Sequence, residues 1–498
     1  MNVNPITRLD YPDPDVIRVE DTYYMVSTTM HFMPGCEILQ SFDLVHWEHV
    51  TYVYETLDHT DAQQLKSGQN IYGQGMWAAS LRYHEGRFCI CFVANDTRKT
   101  YLYTSEKIDG PWKKQLIEGF YHDGSLLFDE DGRNYIVYGN DEIWITELNE
   151  DLTAPKKDGL HRLLVSDHKN PELGYEGSHI QKINGYYYIF LIHSLRDRWM
   201  RTEACFYSDS LEGEFTGGDV LCDDRGYCGQ GVAQGGIVDT PDGKWYAMLF
   251  QDSGAVGRIP ILLPVTWKDH FPFFGQNGHV PEEIEVHSTR PGYIYQPLVG
   301  SDDFCNGLLP HWQFNHDPDP RYYHLDALQG TYTITTREVC TELTQAVNTL
   351  TQRMSYPSCA AEVTVDASAM KEGDVAGLCA LQSCYAAVGI TKHHGKYEVL
   401  MLDKKEDGIL DMTEGTVVES HQMDFRLEAD FCNMKDEARC YYRVNKGDWL
   451  PIGTVHKLYF KLDHFTGCRF GLFCYAAEKT GGSACFRDFK YYDVDEIS

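Results

Sequence analysis

The chain has 498 residues, of which 43% are hydrophobic and 13% aromatic, with 43 Gly and 19 Pro to make turns; that length allows two to three domains with ample core. Its formal net charge of -31 argues against a nucleic-acid or anionic-membrane partner, since both need a basic footprint, and is compatible with a neutral substrate. No apolar run approaches the ~20 residues that span a bilayer, no basic-then-apolar leader opens the chain, and the 16 Cys include no Cys-x-x-Cys pair, which removes zinc-ribbon and thioredoxin readings.

From the N-terminus, residues 4–19 read as a first inner strand with its approach loop, Tyr11-Pro12-Asp13-Pro14-Asp15. The two prolines hold the backbone around Asp13 extended. Such stiffness suits a catalytic carboxylate, and equally an ordinary Asp-Pro turn. A hairpin follows at Glu20-Asp21-Thr22, then a polar and aromatic loop, 27–35, that contains His31 and Phe32. The hairpin phrase returns at Glu85-Gly86, Asp131-Gly132, Asn184-Gly185 and Asp242-Gly243, each between β-rich runs, which is a strong hairpin signal. Residues 41–47, 104–112 and 207–215 each close small polar residues on an aromatic and read as turns between third and fourth strands.

The five hairpins lie roughly 46 to 65 residues apart, the spacing of propeller blades. Nine residues before the second turn position stand Asp13, Trp77, Asp123, Glu176 and Gln234. Inner strands line the channel of a propeller, so one equivalent position per blade brings these five side chains together near the axis. After the fifth hairpin, Arg258 lies among small and apolar residues; it is either a solvated loop charge or a cation that holds the acids in their roles.

Residues 290–300 read as a linker, and the hairpin repeat then stops. The expected fold is all-β: a five-bladed propeller over 1–296 followed by an antiparallel β-sandwich over 301–498. In the sandwich, Asp302, Asp303 and Asp488 are either hard oxygen ligands for a structural Ca²⁺ or edge-strand charges that discourage aggregation. The Gly229-Gln230-Gly231 run precedes no helical pattern and is no nucleotide loop.

Paired carboxylates in an aromatic-lined cavity are what glycoside hydrolysis needs. One acid must be protonated to release the leaving oxygen and the other ionised to activate water. A third carboxylate can raise the acid's pKa and orient it.

The motifs Asn4-Pro5, Tyr11-Pro12-Asp13-Pro14-Asp15, Trp77-Ala78-Ala79-Ser80, His122-Asp123-Gly124-Ser125 and Tyr175-Glu176-Gly177-Ser178-His179 resemble those of glycoside hydrolase family 43. The distal region is similar to the concanavalin-like, jelly-roll domain appended to β-xylosidases of that family. The resemblance implies Asp13 as general base, Glu176 as general acid and Asp123 as the carboxylate that tunes it. It places Phe32, Trp77 and Arg258 at the terminal-sugar subsite; His31, as a polar group in its loop, and Gln234, by its equivalent position, are further sugar-binding candidates. It further implies inversion, with about 6.5–9.5 Å between acid and base, and no cofactor for the chemistry. Many relatives carry His where this chain has Gln234, which puts a channel ion in doubt.

The expected activity is exo release of β-D-xylose or α-L-arabinofuranose from an oligosaccharide, in a reducing cytoplasm that suits many free thiols. The alternatives are endo action on arabinan and a non-catalytic carbohydrate-binding propeller. A retaining fructan or sucrose hydrolase would carry Asn-Asp-Pro-Asn, Arg-Asp-Pro and Glu-Cys motifs; here Gly177 follows Glu176. Assembly into a homo-oligomer is left open.

Overall fold

The computed structural model describes residues 2–493. It is all-β, and five four-stranded antiparallel sheets follow one another along the chain as blades. Their innermost strands are Asp15–Val19, Met76–His84, Ser125–Phe128, Glu176–Ile183 and Val232–Asp239. The second strand of a blade is buried on both faces because neighbouring blades cover it. Tyr186–Ser194 is accordingly an almost unbroken apolar run, whereas the outermost strand of that blade, Thr216–Leu221, is mostly exposed. The aromatics of the outer turns and strands pack against one another, as where Trp267 meets Tyr188 edge-on at 5.2 Å.

The ring closes through a clasp rather than a shared strand. Asn2–Val3 pairs with Glu283–Ile284 beyond the last blade. The side chain of Asn4 donates to the carbonyls of Leu262 and Pro281 and accepts from the Leu262 N–H, so its amide bridges the chain's two ends of the propeller.

Inside the channel the guanidinium of Arg82 joins four blades. It donates to Asp15, to Ser125 Oγ and to the carbonyls of Leu81, Leu126 and Ile180. Burial alone would raise the Asp15 pKa, but Arg82 and a hydrogen bond with His179 outweigh it and hold the carboxylate below its usual range.

The rest of the chain forms a sandwich of two sheets around one apolar core. The two parts are sewn together. Phe32–Met33, a short strand in the first blade's loop, pairs with Gln313–Asn315 and forms the edge of a sandwich sheet. Arg353 of the sandwich reaches into the propeller, where it donates to the Asp10 carbonyl and to Glu37 Oε2 at 2.8 Å, with its guanidinium 4.0 Å from the Tyr11 ring centre. Both members of this ion pair are buried. Burial would raise Glu37, but Arg353 and His49 prevail and bring it to about 2. No helix among the described residues is long and apolar enough to cross a membrane.

Candidate active site

Each inner strand enters its sheet through the same irregularity, a bulge in which three steps on the inner strand face two on its neighbour. Met76 pairs with Ala94 and Ala79 with Phe92; Glu176 pairs with Ile192 and His179 with Phe190; Ala233 pairs with Phe250 and Gly236 with Met248. In the first and third blades the Pro12 and His122 carbonyls accept from Thr28 and Gly139, while Asp15 and Ser125 already pair with Val26 and Val137. A bulge re-aims side chains at a strand end. Here it turns them toward the mouth of the channel.

The bulged residues pay for this in backbone conformation. Asp13, Asp123 and Gln234 have φ of 52, 47 and 59, in the left-handed region, which non-glycine residues visit at a cost and Asp more readily than most. In the fourth blade that conformation falls on Gly177, with φ 65. Counting back from the hairpin equates Glu176 with the two aspartates, but strand pairing equates Gly177 with them: Pro12, His122 and Glu176 each hold the last pairing before the bulge. Glu176 therefore precedes the special position, and glycine occupies it. A Cβ on Gly177 would lie 2.7 Å from Gln234 Cγ.

The three carboxyl groups have different surroundings. Asp13 accepts from Arg258 Nη1 at 2.9 Å and from Thr28 Oγ1 at 2.6 Å. Arg258 is itself buried: its backbone N–H donates to Asp10 and its guanidinium lies 4.2 Å from the Phe465 ring centre. Asp123 accepts from the Gly177 N–H at 3.0 Å, so it anchors the residue next to Glu176. Burial, and then the charges of Glu176 and Asp13 acting against His122, push Asp123 up to about 6. Glu176 accepts from Asn140 Nδ2 at 2.7 Å, and its side chain keeps 19% of its surface open to solvent.

His122 Nε2 stands 3.5 Å from Glu176 Oε2 and 3.6 Å from Asp123 Oδ2. Burial would lower its pKa, but Asp123 and Glu176 override that and raise it to about 9. The Trp77 ring centre lies 5.8 Å from that of His122 and 5.6 Å from that of Phe465. Gln234 packs beside Gly177, and its N–H donates to the buried Glu203 carboxyl.

The structure thus brings Asp13, Trp77, Asp123, Glu176, Gln234 and Arg258 to one mouth. His31 and Phe32 are placed differently from the expected sugar-lining position. Both are buried at the seam with the sandwich, at 0% and 2% exposure. The His31 ring lies among Phe32, Tyr72, His316 and His464, and Arg469 covers Phe32 at 3.5 Å from its ring centre. The loop that holds them turns outward into the sandwich sheet through the Phe32–Met33 pairing, so they support the wall from behind.

The three aspartates offered as calcium ligands form no such group. Among the described residues, the one group of three His, Cys, Asp or Glu ligand atoms within 4.8 Å is His122, Asp123 and Glu176 at the mouth of the channel. Asp302 instead accepts from the Phe304 and Leu309 N–H groups and the Trp312 indole, and Asp303 from the Cys305 N–H. Those oxygens cap a turn under the sandwich core.

Sequence reasoning missed Thr28, Asn140, His122 and Phe465. His122 stood inside a quoted motif, where its place beside Asp123 was a usable signal; Thr28 and Asn140 lie at the ends of second strands, opposite the bulges. Phe465 had no signal, because it comes from the other domain. Its carbonyl accepts from Arg258 Nη2 at 3.4 Å, and the Gly467 N–H donates to Asp10. Beside it, Trp199, Arg201, Tyr459, Phe460, Leu462 and Phe465 line part of a cavity of about 410 Å³ on the seam between the domains. Neither that cavity nor a larger hollow of about 440 Å³ at the far ends of the inner strands is lined by any of the three acids.

A family model described as glycosyl hydrolases family 43 matches residues 3–272, and one described as the beta xylosidase C-terminal concanavalin A-like domain matches residues 301–492. A beta-xylosidase of Formosa agariphila is 26% identical over 99% of this chain and 89% of its own length. The structure of a bifunctional GH43-CE protein from Bacteroides eggerthii superposes with a TM-score of 0.92 at 42% identity; it covers 99% of this chain, which spans 63% of that protein. A GH43 glycoside hydrolase engineered to display both endo-xylanase and exo-arabinofuranosidase activity superposes with a TM-score of 0.88 at 27% identity, over 99% of each chain.

Proposed function

The chain belongs to glycosyl hydrolase family 43, and from that premise we propose that it removes terminal pentoses, β-D-xylose or α-L-arabinofuranose, from xylo- or arabinoxylo-oligosaccharides with inversion. The observation that carries this reading is the unequal treatment of the three acids at one mouth. Asp13 faces a buried guanidinium and a hydroxyl, the partners an ionised general base needs. Glu176 is the more open carboxyl, where a leaving oxygen can take its proton. Asp123, spent on the Gly177 N–H, orients the acid.

Trp77 and Phe465, with ring centres 5.6 Å apart, form one aromatic wall for the sugar ring, and the sandwich loop that carries Phe465 shuts one end of the site, which favours exo action. Outside it, the exposed Trp199 and the apolar Phe460 and Leu462 give the leaving-group sugar faces to stack on. The unpaired state of all 16 cysteines supports a reducing, cytoplasmic place of work.

Initial rates on 4-nitrophenyl β-D-xyloside and α-L-arabinofuranoside test the reading, wild type beside Asp13→Ala and Glu176→Ala. Turnover of either substrate, lost in both variants, is expected, with the opposite anomer detected first by NMR. No turnover of either by folded wild type, with cleavage inside linear arabinan or none at all, overturns it.

A further inference from the structure

We propose that His122 is a positioning residue of the general acid: an imidazolium lodged between Glu176 and Asp123 that stabilises the carboxylate Glu176 becomes on giving up its proton. This rests on the hydrolase reading above. Three carboxyl groups share the mouth, and only Asp13 has a guanidinium of its own, at 2.9 Å. The other two face a single cationic candidate, His122, whose Nε2 lies 3.5 Å from one and 3.6 Å from the other.

That nitrogen is buried and makes no hydrogen bond of good geometry, so its interaction with the two acids is one of charge across a short gap. At such distances in a partly desolvated site, unit charges interact by several kcal/mol. The backbone that carries the ring is held, because the His122 carbonyl accepts from the Gly139 N–H at the start of the bulge. The titratable groups facing it are Asp123 on its own strand, Glu176 from the fourth blade and Asp13 from the first; Trp77 from the second blade meets it with an uncharged ring.

In the inverting step, water's oxygen bonds to the anomeric carbon and passes its proton to Asp13. The bond to the leaving oxygen breaks, and that oxygen takes the proton from Glu176. His122 keeps its own proton throughout, and its role is to make the anion left on Glu176 more stable, hence the acid stronger. A stronger acid matters most when the leaving group is poor, because such a group needs more proton transfer in the transition state.

The test compares His122→Asn and His122→Phe with wild type on two pentosides across pH 4–10. One bears a 2,4-dinitrophenyl leaving group, which departs unaided; the other is the unactivated disaccharide. Loss of the imidazolium should cut kcat/KM on the disaccharide below the alkaline limb by about threefold to tenfold, leave the dinitrophenyl substrate unchanged within about twofold, and move the alkaline limb of the disaccharide profile up by about one pH unit. Equal losses on both substrates with an unmoved limb overturn the proposal and leave His122 a space-filling role. A second measurement needs no variant: the ¹⁵N resonances of the wild-type imidazole should report a cation at pH 7.5, and a neutral ring there refutes it even in a chain that hydrolyses pentosides normally. Wild type inactive on both substrates would instead tell against the hydrolase reading.

Discussion

Replacing Gly177 by alanine should disable catalysis out of proportion to its effect on folding. The residue sits at φ 65, where an L side chain costs about 1–2 kcal/mol. The added Cβ would also fall 2.7 Å from Gln234 Cγ and 2.8 Å from Cδ, and these are not the free tip of the side chain. Gln234 has little room to retreat, since it is 4% exposed and its N–H is held by Glu203 at 2.7 Å. Strain and overpacking together should destabilise the fold by about 2–4 kcal/mol. The cheapest relief is rotation of the bulge, which pulls the Gly177 N–H off Asp123 and swings Glu176. A misplacement of about 1 Å costs about 10²-fold in rate. The assay is kcat/KM on the preferred aryl pentoside beside a urea unfolding midpoint. Adding Gln234→Gly should return the packing part of the stability while the rate stays low. Gly177→Ala with near-normal rate and midpoint would refute the idea that this bulge positions the acid.

Two further outcomes follow from buried charges. Arg353→Met should destabilise the chain by about 3 kcal/mol, because it leaves the buried Glu37 with His49 as its one remaining ion-pair partner; denaturant unfolding measures this, and Glu37→Gln in the same chain should recover part of the loss. Wild type should also lose stability relative to His122→Asn as pH rises. The folded imidazole is raised to about 9 against about 6.5 unfolded. Its stabilisation is therefore full below about 6.5 and gone above about 9, a swing of about 3 kcal/mol, read from unfolding midpoints at pH 6 and pH 9.5. A gap between the two chains that stays constant over that range excludes a raised imidazole.

Local pattern made the propeller legible. Two-residue turns at blade spacing mark hairpins whatever the remote contacts are, and the fixed offset led to Asp13, Trp77, Asp123 and Gln234, all first residues of a bulge. The same count misjudged Glu176 by one residue, because the hairpin loops differ in length: two residues separate Val19 from Thr22 and Ile183 from Tyr186, and five separate Phe128 from Asn134 and Asp239 from Trp245. His31 was read as a pocket residue from its chemistry and Phe32 from the family resemblance; what decides their direction is the pairing of Phe32 with Asn315, nearly three hundred residues away. Phe465 and Arg353 were invisible for a related reason. Each acts on residues of the other domain, and no periodicity in its own neighbourhood records that.

The short strand Phe32–Met33 makes residue 300 a poor place to cut. A chain ending there would bare an unzipped sheet edge, strand Glu37 without Arg353 and take Phe465 away from Arg258. The propeller and the sandwich are therefore inherited as a matched pair. Recombination that swaps the C-terminal half between relatives must exchange matched seams, and a change at the seam is felt in both halves at once.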